Sequence, residues 1–168
     1  GCVGEDGNIC IQGRQDAVVK RNGKQINLEQ LDRLAVEYFQ EAGLLASLSI
    51  AKIYFNLIER PYISEGLERT STALCLNIIP TSVSRFDSSK PLDHWDDETR
   101  INLFNVFYKM KRAFSRIVDV PSMFRMSAAD QGGAFTPTTA RGKLDRKAPL
   151  DTQIRFFADL CPYPDEGP

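Results

Sequence analysis

The sequence predicts a small α+β domain in which an N-terminal β-hairpin precedes a short sheet covered by two helices. Three observations carry this. Residues 27–40 and 96–118 repeat apolar side chains at three- and four-residue steps, the period of one helix face. Between them, residues 47–58 and 70–79 are β-branched, aromatic and aliphatic runs of strand length. Ahead of both, Asn22-Gly23 is a tight-turn signal, because both residue types tolerate positive φ.

Taken in order, residues 4–7 (GEDG) read as a turn, and 9–12 and 17–21 as short β-prone runs flanking a glycine-containing connection. The first helix, NLEQLDRLAVEYFQ, gathers Leu28, Leu31, Leu34, Ala35, Tyr38 and Phe39 on one stripe. Asn27 is its expected N-cap, Glu29 and Asp32 suit the positive end of its dipole, and Ala42-Gly43 ends it. Residues 60–69 contain Pro and Gly and read as a long loop between the two strands, the second of which Pro80 closes. Residues 81–95 are polar and read as an exposed loop. The second helix is expected to bury Ile101, Phe104, Phe107, Tyr108, Phe114, Ile117 and Val118, and to turn Lys109, Lys111, Arg112 and Arg116 largely to solvent. Asp96, Asp97 and Glu98 stand at its start, as the macrodipole favours. A loop with Gly132-Gly133 follows. The tail, residues 151–168, holds one apolar island (Ile154, Phe156, Phe157, Leu160) before a Pro- and acid-rich end expected to be disordered.

Composition excludes several classes. With 21 Lys+Arg against 22 Asp+Glu the formal charge is -1, without the basic excess of a dedicated nucleic-acid binder. The four cysteines, Cys2, Cys10, Cys75 and Cys161, form no CxxC, and His94 is the only histidine, so no zinc site and no metal ligands are expected. The thiols read as reduced and structural, in a cytoplasmic setting. No apolar run reaches the roughly 20 residues of a membrane helix, so no membrane partner is expected.

The chemistry-bearing motifs are sparse. There is no GxxxxGK[ST], no GxGxxG and no GxSxG. His94, in an acidic loop beside Trp95, reads as a surface residue, and the basic stripe 109–116 as a solvated helix face. Two segments are less ordinary: GRQDAVVKRNGKQINLEQLD at 13–32 and GKLDRKAPL at 142–150. Together they resemble the C-terminal subdomain of adenylate-forming enzymes, the superfamily of acyl-CoA synthetases and nonribosomal-peptide adenylation domains. In that family a GRxDxxVKxxGxxIxLxxLE-like segment opens the subdomain and GK[ILV]DR closes it. Gly13, Arg14, Asp16, Val19, Lys20, Gly23, Ile26, Leu28, Leu31 and Asp32 match the first, and Gly142, Lys143, Leu144, Asp145 and Arg146 the second. Gly13 and Lys143 are 130 residues apart, longer than usual in the family, with the extra length expected at 60–69 and 81–95. The detail VKRNGKQINLE looks closest to the beta-alanine-activating branch. Gln25, Asn27 and Gln30 depart from a common adenylation pattern of Arg, Glu and an acid at those places.

The resemblance spans about residues 4–150 and divides the chain into a hinge region (1–16), the subdomain (17–150) and a tail (151–168). It implies the mobile lid of an AMP-forming acid–thiol ligase, acting on a small carboxylate or amino acid such as beta-alanine. ATP with Mg2+ would form an acyl-adenylate, and CoA or a phosphopantetheine thiol, carried on a carrier protein in some members, would take the acyl group. The partner it implies in cis is the large N-terminal adenylation subdomain, whose pocket motifs this sequence lacks, so the chain reads as a fragment inactive alone. Lys143 matches the catalytic lysine, a compact cation on a long stem that can meet both carboxylate and α-phosphate. Gly142 would keep that loop close and mobile. Asp16 matches the hinge, Arg14 an arginine that meets the nucleotide, and Lys20 to Gly23 the loop facing the active site in the thioester-forming pose. The competing expectations are a non-catalytic interaction module that keeps the fold, and a nucleic-acid module using residues 109–116 and 141–147.

Overall fold

The computed structural model describes residues 2, 3, 5, 7, 9, 10, 18–21, 24–81, 85–114, 123–127, 136–148 and 152–161. Cys2–Val3 (β1) pairs antiparallel with Ile9–Cys10 (β2). Val18–Arg21 (β3) pairs with Lys24–Asn27 (β4), leaving only Asn22 and Gly23 to connect them, the length of a tight hairpin. Those two residues lie outside the described ones. Ile26 is buried and Val19 opposite it is half-buried, so the hairpin is seated on the core.

The first helix, Leu28–Glu41 (α1), begins as expected: the Asn27 carboxamide oxygen accepts the Gln30 N–H at 3.3 Å. Leu28, Leu31, Ala35 and Phe39 are buried, with Leu34 and Tyr38 partly so. Gly43, at φ +72°, turns the chain out of the helix. One further helical turn, Leu44–Ser47 (α2), ends at the residue where the sequence suggested a strand beginning, and the strand starts at Ile50 instead.

The strands are longer than expected. Ile50–Ser64 (β5) and Leu67–Pro80 (β6) form one antiparallel hairpin, and residues 60–69 are its distal end rather than a loop. Glu65 (φ 54°) and Gly66 (φ 74°) make the two-residue turn, both left-handed as a type I′ hairpin requires. Pro61 was the misleading residue. From Ile53 onward the register is regular, and Phe55 turns its N–H and C=O away from β6. Pro61 shares that parity, so its missing N–H falls on the outer edge and costs no ladder bond.

Met123–Met126 (β7) adds parallel to β6, and Arg155–Phe156 (β8) antiparallel to β7, giving the order β5-β6-β7-β8. The parallel step needs a crossover, which the second helix, Asp97–Phe114 (α3), supplies. Helices cover one sheet face: Ile53, Phe55, Leu74, Leu76, Ile78, Phe124 and Met126 pack there with α1 and α3. Phe107 joins the layers, its ring 6.2 Å from Phe39 and 5.3 Å from Phe124.

The buried side of α3 is Leu103, Val106, Phe107 and Met110, with Phe104 partly covered. Ile101 and Tyr108, expected inside, are exposed, because they lie one heptad apart on the flank of that stripe. Ile117 and Val118 lie outside the described residues. Lys109, Lys111 and Arg112 are exposed as expected. Asp96 caps the helix, taking the Thr99 N–H at 2.8 Å and its hydroxyl at 2.9 Å. The Thr99 N–H, more than the hydroxyl, holds the Asp96 carboxyl below its ordinary value. A lowered folded value means stabilisation present above the unfolded pKa and lost as pH falls through the folded one. Asp96→Ala is therefore expected to cost about 1 kcal/mol at neutral pH, with the difference closing in acid, measured by urea denaturation at several pH values.

Residues 85–95 are not simply an exposed loop. Ser88 and Trp95 are buried, and Leu92–His94 forms a 3-10 turn. The Trp95 indole donates to the Lys90 carbonyl at 2.9 Å. Arg155 lies over the Trp95 ring at 5.1 Å and donates to the carbonyls of Ser88 (3.1 Å) and Lys90 (2.9 Å). The loop is held because the carbonyls it buries receive donors. In the tail, Phe157–Leu160 forms a 3-10 turn against α3 with Leu160 fully buried; the Pro- and acid-rich end, 162–168, lies outside the described residues.

Candidate functional site: a clamped hairpin carrying Lys143

The second sequence motif folds as a small hairpin. Thr138 bridges Leu144, the Thr139 N–H donates to the Lys143 carbonyl at 2.6 Å, and the Gly142 N–H returns to the Thr139 carbonyl at 2.9 Å. Gly142 sits at φ +77°, and a Cβ there would meet no atom within 4 Å. Space is free but the torsion is not, so Gly142→Ala should cost about 1 kcal/mol through backbone strain alone, while Gly142→Asn should cost less. Thermal denaturation of the two variants checks this.

Lys143 follows that glycine and is exposed. Its backbone N–H reaches the Thr139 hydroxyl at 3.3 Å. Its ammonium makes no ion pair with any described residue.

Two residues beyond the bridge, the chain is fixed hard. Arg146 donates from Nη2 to Asp32 Oδ2 at 2.7 Å and from Nη1 to the Phe55 carbonyl at 2.8 Å. Asp32 Oδ1 accepts the Phe55 N–H at 2.7 Å. The Arg146 carbonyl accepts from the Asn56 carboxamide at 3.3 Å, and Asn56 in turn accepts from Asn77 at 2.9 Å. Both charged side chains are largely buried, at 13% and 12% exposure. Carboxylate and guanidinium thus occupy the outward N–H and C=O of Phe55, as a neighbouring strand would. They satisfy the one pair of buried edge groups that the sheet leaves open there.

Burial pushes the Asp32 carboxyl up from its ordinary value, against the pull of Arg146 and the Phe55 N–H. On β6, Cys75 is buried and its thiol is pushed up to about 11, so it is an inert structural thiol rather than a nucleophile. Cys161 is half-buried, and nothing is described for the side chains of Cys2 and Cys10.

Of the expected site residues, Lys143 and Lys20 are both exposed, Lys20 on β3 opposite Gln25. Arg14, Asp16 and Gly23 lie outside the described residues. What the structure brings together is the last residue of each motif, Asp32 and Arg146, 114 residues apart. In sequence both residues are motif matches, and Asp32 is also a favourable charge near the helix start, but nothing local shows that they pair. An open groove of about 480 Å³ between α1 and the start of β5, lined among others by Val36, Leu45 and Ile50, borders the clamp at Asp32 but contains none of the expected site residues. His94 is exposed, with Nε2 3.9 Å from Asp93. Among the described residues no cluster of three or more His, Cys, Asp or Glu could hold a metal ion, and no helix is long and apolar enough to cross a membrane.

Fold and site together define a small α+β domain in which the segment 136–148 is clamped to the first helix through Arg146 and carries the exposed Lys143. Comparison with protein-family models, curated proteins and solved structures finds no match to this chain.

Proposed function

We propose that this domain is the lid of an ATP-dependent acid–thiol ligase, and that Lys143 is the residue it delivers to the reaction. The observation that supports this best is the pairing of an exposed lysine with a rigid mount. Lys143 is exposed and makes no ion pair with any described residue, while Arg146, three residues on, is tied to α1 and β5. A mount of this kind lets a whole domain move and still place one ammonium reproducibly. The substrates would be a small carboxylate or amino acid and ATP, giving an acyl-adenylate and then a thioester. Lys143 would meet carboxylate and α-phosphate as their charges approach. Magnesium, bound mainly by the large subdomain, would neutralise phosphate charge. Lys20, exposed on the β3–β4 hairpin, would face the thiol-bearing arm. The domain would work in the cytoplasm, joined in cis to that large subdomain.

The experiment joins the chain to a large adenylation subdomain and measures carboxylate-dependent ATP–pyrophosphate exchange across a panel of small acids, beta-alanine included. Exchange with at least one acid, absent without residues 136–148, is the expected result. No exchange with any acid, from a folded and nucleotide-binding protein, would favour an interaction module with the same fold.

A further inference from the structure

Beyond the part of β6 that β7 covers, the β5–β6 hairpin continues as a two-stranded arm. β7 pairing begins at Cys75, and every residue from Glu59 to Thr72 except Ser64 is exposed. Tyr62, Ile63 and Leu67 stand at 45%, 80% and 61% exposure near its tip.

The two edges of this hairpin are treated differently. The β5 edge is closed to another strand twice, by the Asp32–Arg146 clamp on Phe55 and by Pro61, which has no N–H to offer. Among the described residues nothing closes the β6 edge in this way. Leu76, opposite Phe55, turns its backbone groups away from β5, and Leu74, Thr72, Thr70 and Glu68 share its parity. Their N–H and C=O groups point outward along the stretch RTSTAL, which carries no proline and is rich in strand-forming threonine.

We infer that this edge pairs with the same edge of a second copy of the chain, antiparallel about a two-fold axis at Thr70. Length and charge select that occupant and that register. The uncovered stretch runs from Leu67 to the residue before β7 pairing, and only even-numbered residues present outward groups. Two such stretches overlap equally about Thr70 or Ser71, and the Thr70 centre is the one that leaves Leu74, next to β7, out of the new ladder. It places Thr70 opposite Thr70, Glu68 opposite Thr72 and Arg69 opposite Ser71 of the partner subunit, with no like charges directly opposed. A shift of one register step either way puts Arg69 opposite Arg69 or Glu68 opposite a leucine beside β7. The product is a four-stranded sheet, β5-β6 continued into its two-fold mate, with Tyr62 and Leu67 of each copy on one shared face. A self-complementary patch of this kind closes at two copies.

The test uses the whole chain. Sedimentation over a concentration series should show a reversible monomer–dimer equilibrium. Thr70→Pro removes an outward N–H and no β5–β6 bond, so it should give a monomer with unchanged circular dichroism. Thr70→Cys gives a second readout that does not depend on tolerating proline. Paired residues exchanging hydrogen bonds across strands lie about 5.5 Å apart at Cα, within disulfide range. Mild oxidation should link Thr70→Cys into dimers well above the level of the unsubstituted chain, and Ile63→Cys should not be linked. A chain that stays monomeric at every concentration overturns the proposal, as does equal cross-linking of the two cysteine variants.

Discussion

Arg146→Met should destabilise the domain by about 3 kcal/mol, a larger loss than any exposed cation of the same loop would cause. The size follows from what is left behind. Asp32 would remain a buried carboxylate without its guanidinium, and the Phe55 carbonyl would lose its donor. Asp32→Asn should cost less, because a carboxamide oxygen can still accept the Phe55 N–H. The double variant Asp32→Leu/Arg146→Met should recover part of the loss, since it removes both buried charges, but not all, since the edge groups of Phe55 stay unmatched. Urea denaturation of these proteins, with Asp32→Leu alone added, closes the cycle. Control variants Arg141→Met and Lys147→Met, both at exposed positions, should fall within about 0.5 kcal/mol of the starting chain. The folded Asp32 carboxyl lies above its unfolded value, so the unsubstituted chain gains stability relative to Asp32→Asn as pH falls through the folded value.

Lys143→Ala, in the chain joined to a large adenylation subdomain, should lower ATP–pyrophosphate exchange about a hundredfold or more, the usual loss when one preorganised charge is removed from a transition state. Thioester formation from a supplied acyl-adenylate should change much less, because that step no longer brings carboxylate and phosphate together. Stability should not change, since the side chain is exposed and unpaired among the described residues. Equal exchange by the variant would remove Lys143 from the chemistry. Lys143→Ala and Arg146→Met therefore separate cleanly: one affects rate without stability, the other both.

The core of the fold was legible in the sequence wherever a period was unambiguous. Leu28, Leu31, Ala35 and Phe39 repeat with one helical phase, and the structure buries them. Asn27 announced its cap. Legibility failed where one residue type has two meanings. Pro61 looks like a strand breaker until its parity places the missing N–H on an open edge. Glu65-Gly66 is a weaker hairpin signal than Asn22-Gly23, so the long β5–β6 arm read as a loop. On α3, aromatic count suggested the wrong flank, because Ile101 and Tyr108 sit beside the Leu103–Met110 stripe. Residues 85–95 looked solvated because nothing local shows that Arg155, some sixty residues later, binds their carbonyls. The clamp was hidden for the same reason. A charge that will be buried against a partner 114 residues away looks, in sequence, like any solvated one.

The stacking of Arg155 on Trp95 has a practical consequence. Trp95 is the chain's single tryptophan, so all indole emission comes from one junction, where the 85–95 segment, the tail strand and Phe124 meet. Trp95 is 5% exposed and its indole N–H is bound, which places the emission in the blue range of a shielded indole. A red shift on titration with denaturant would then mark release of the tail from the sheet. If that shift came before the loss of helical ellipticity, the tail would be the first part of the molecule to let go.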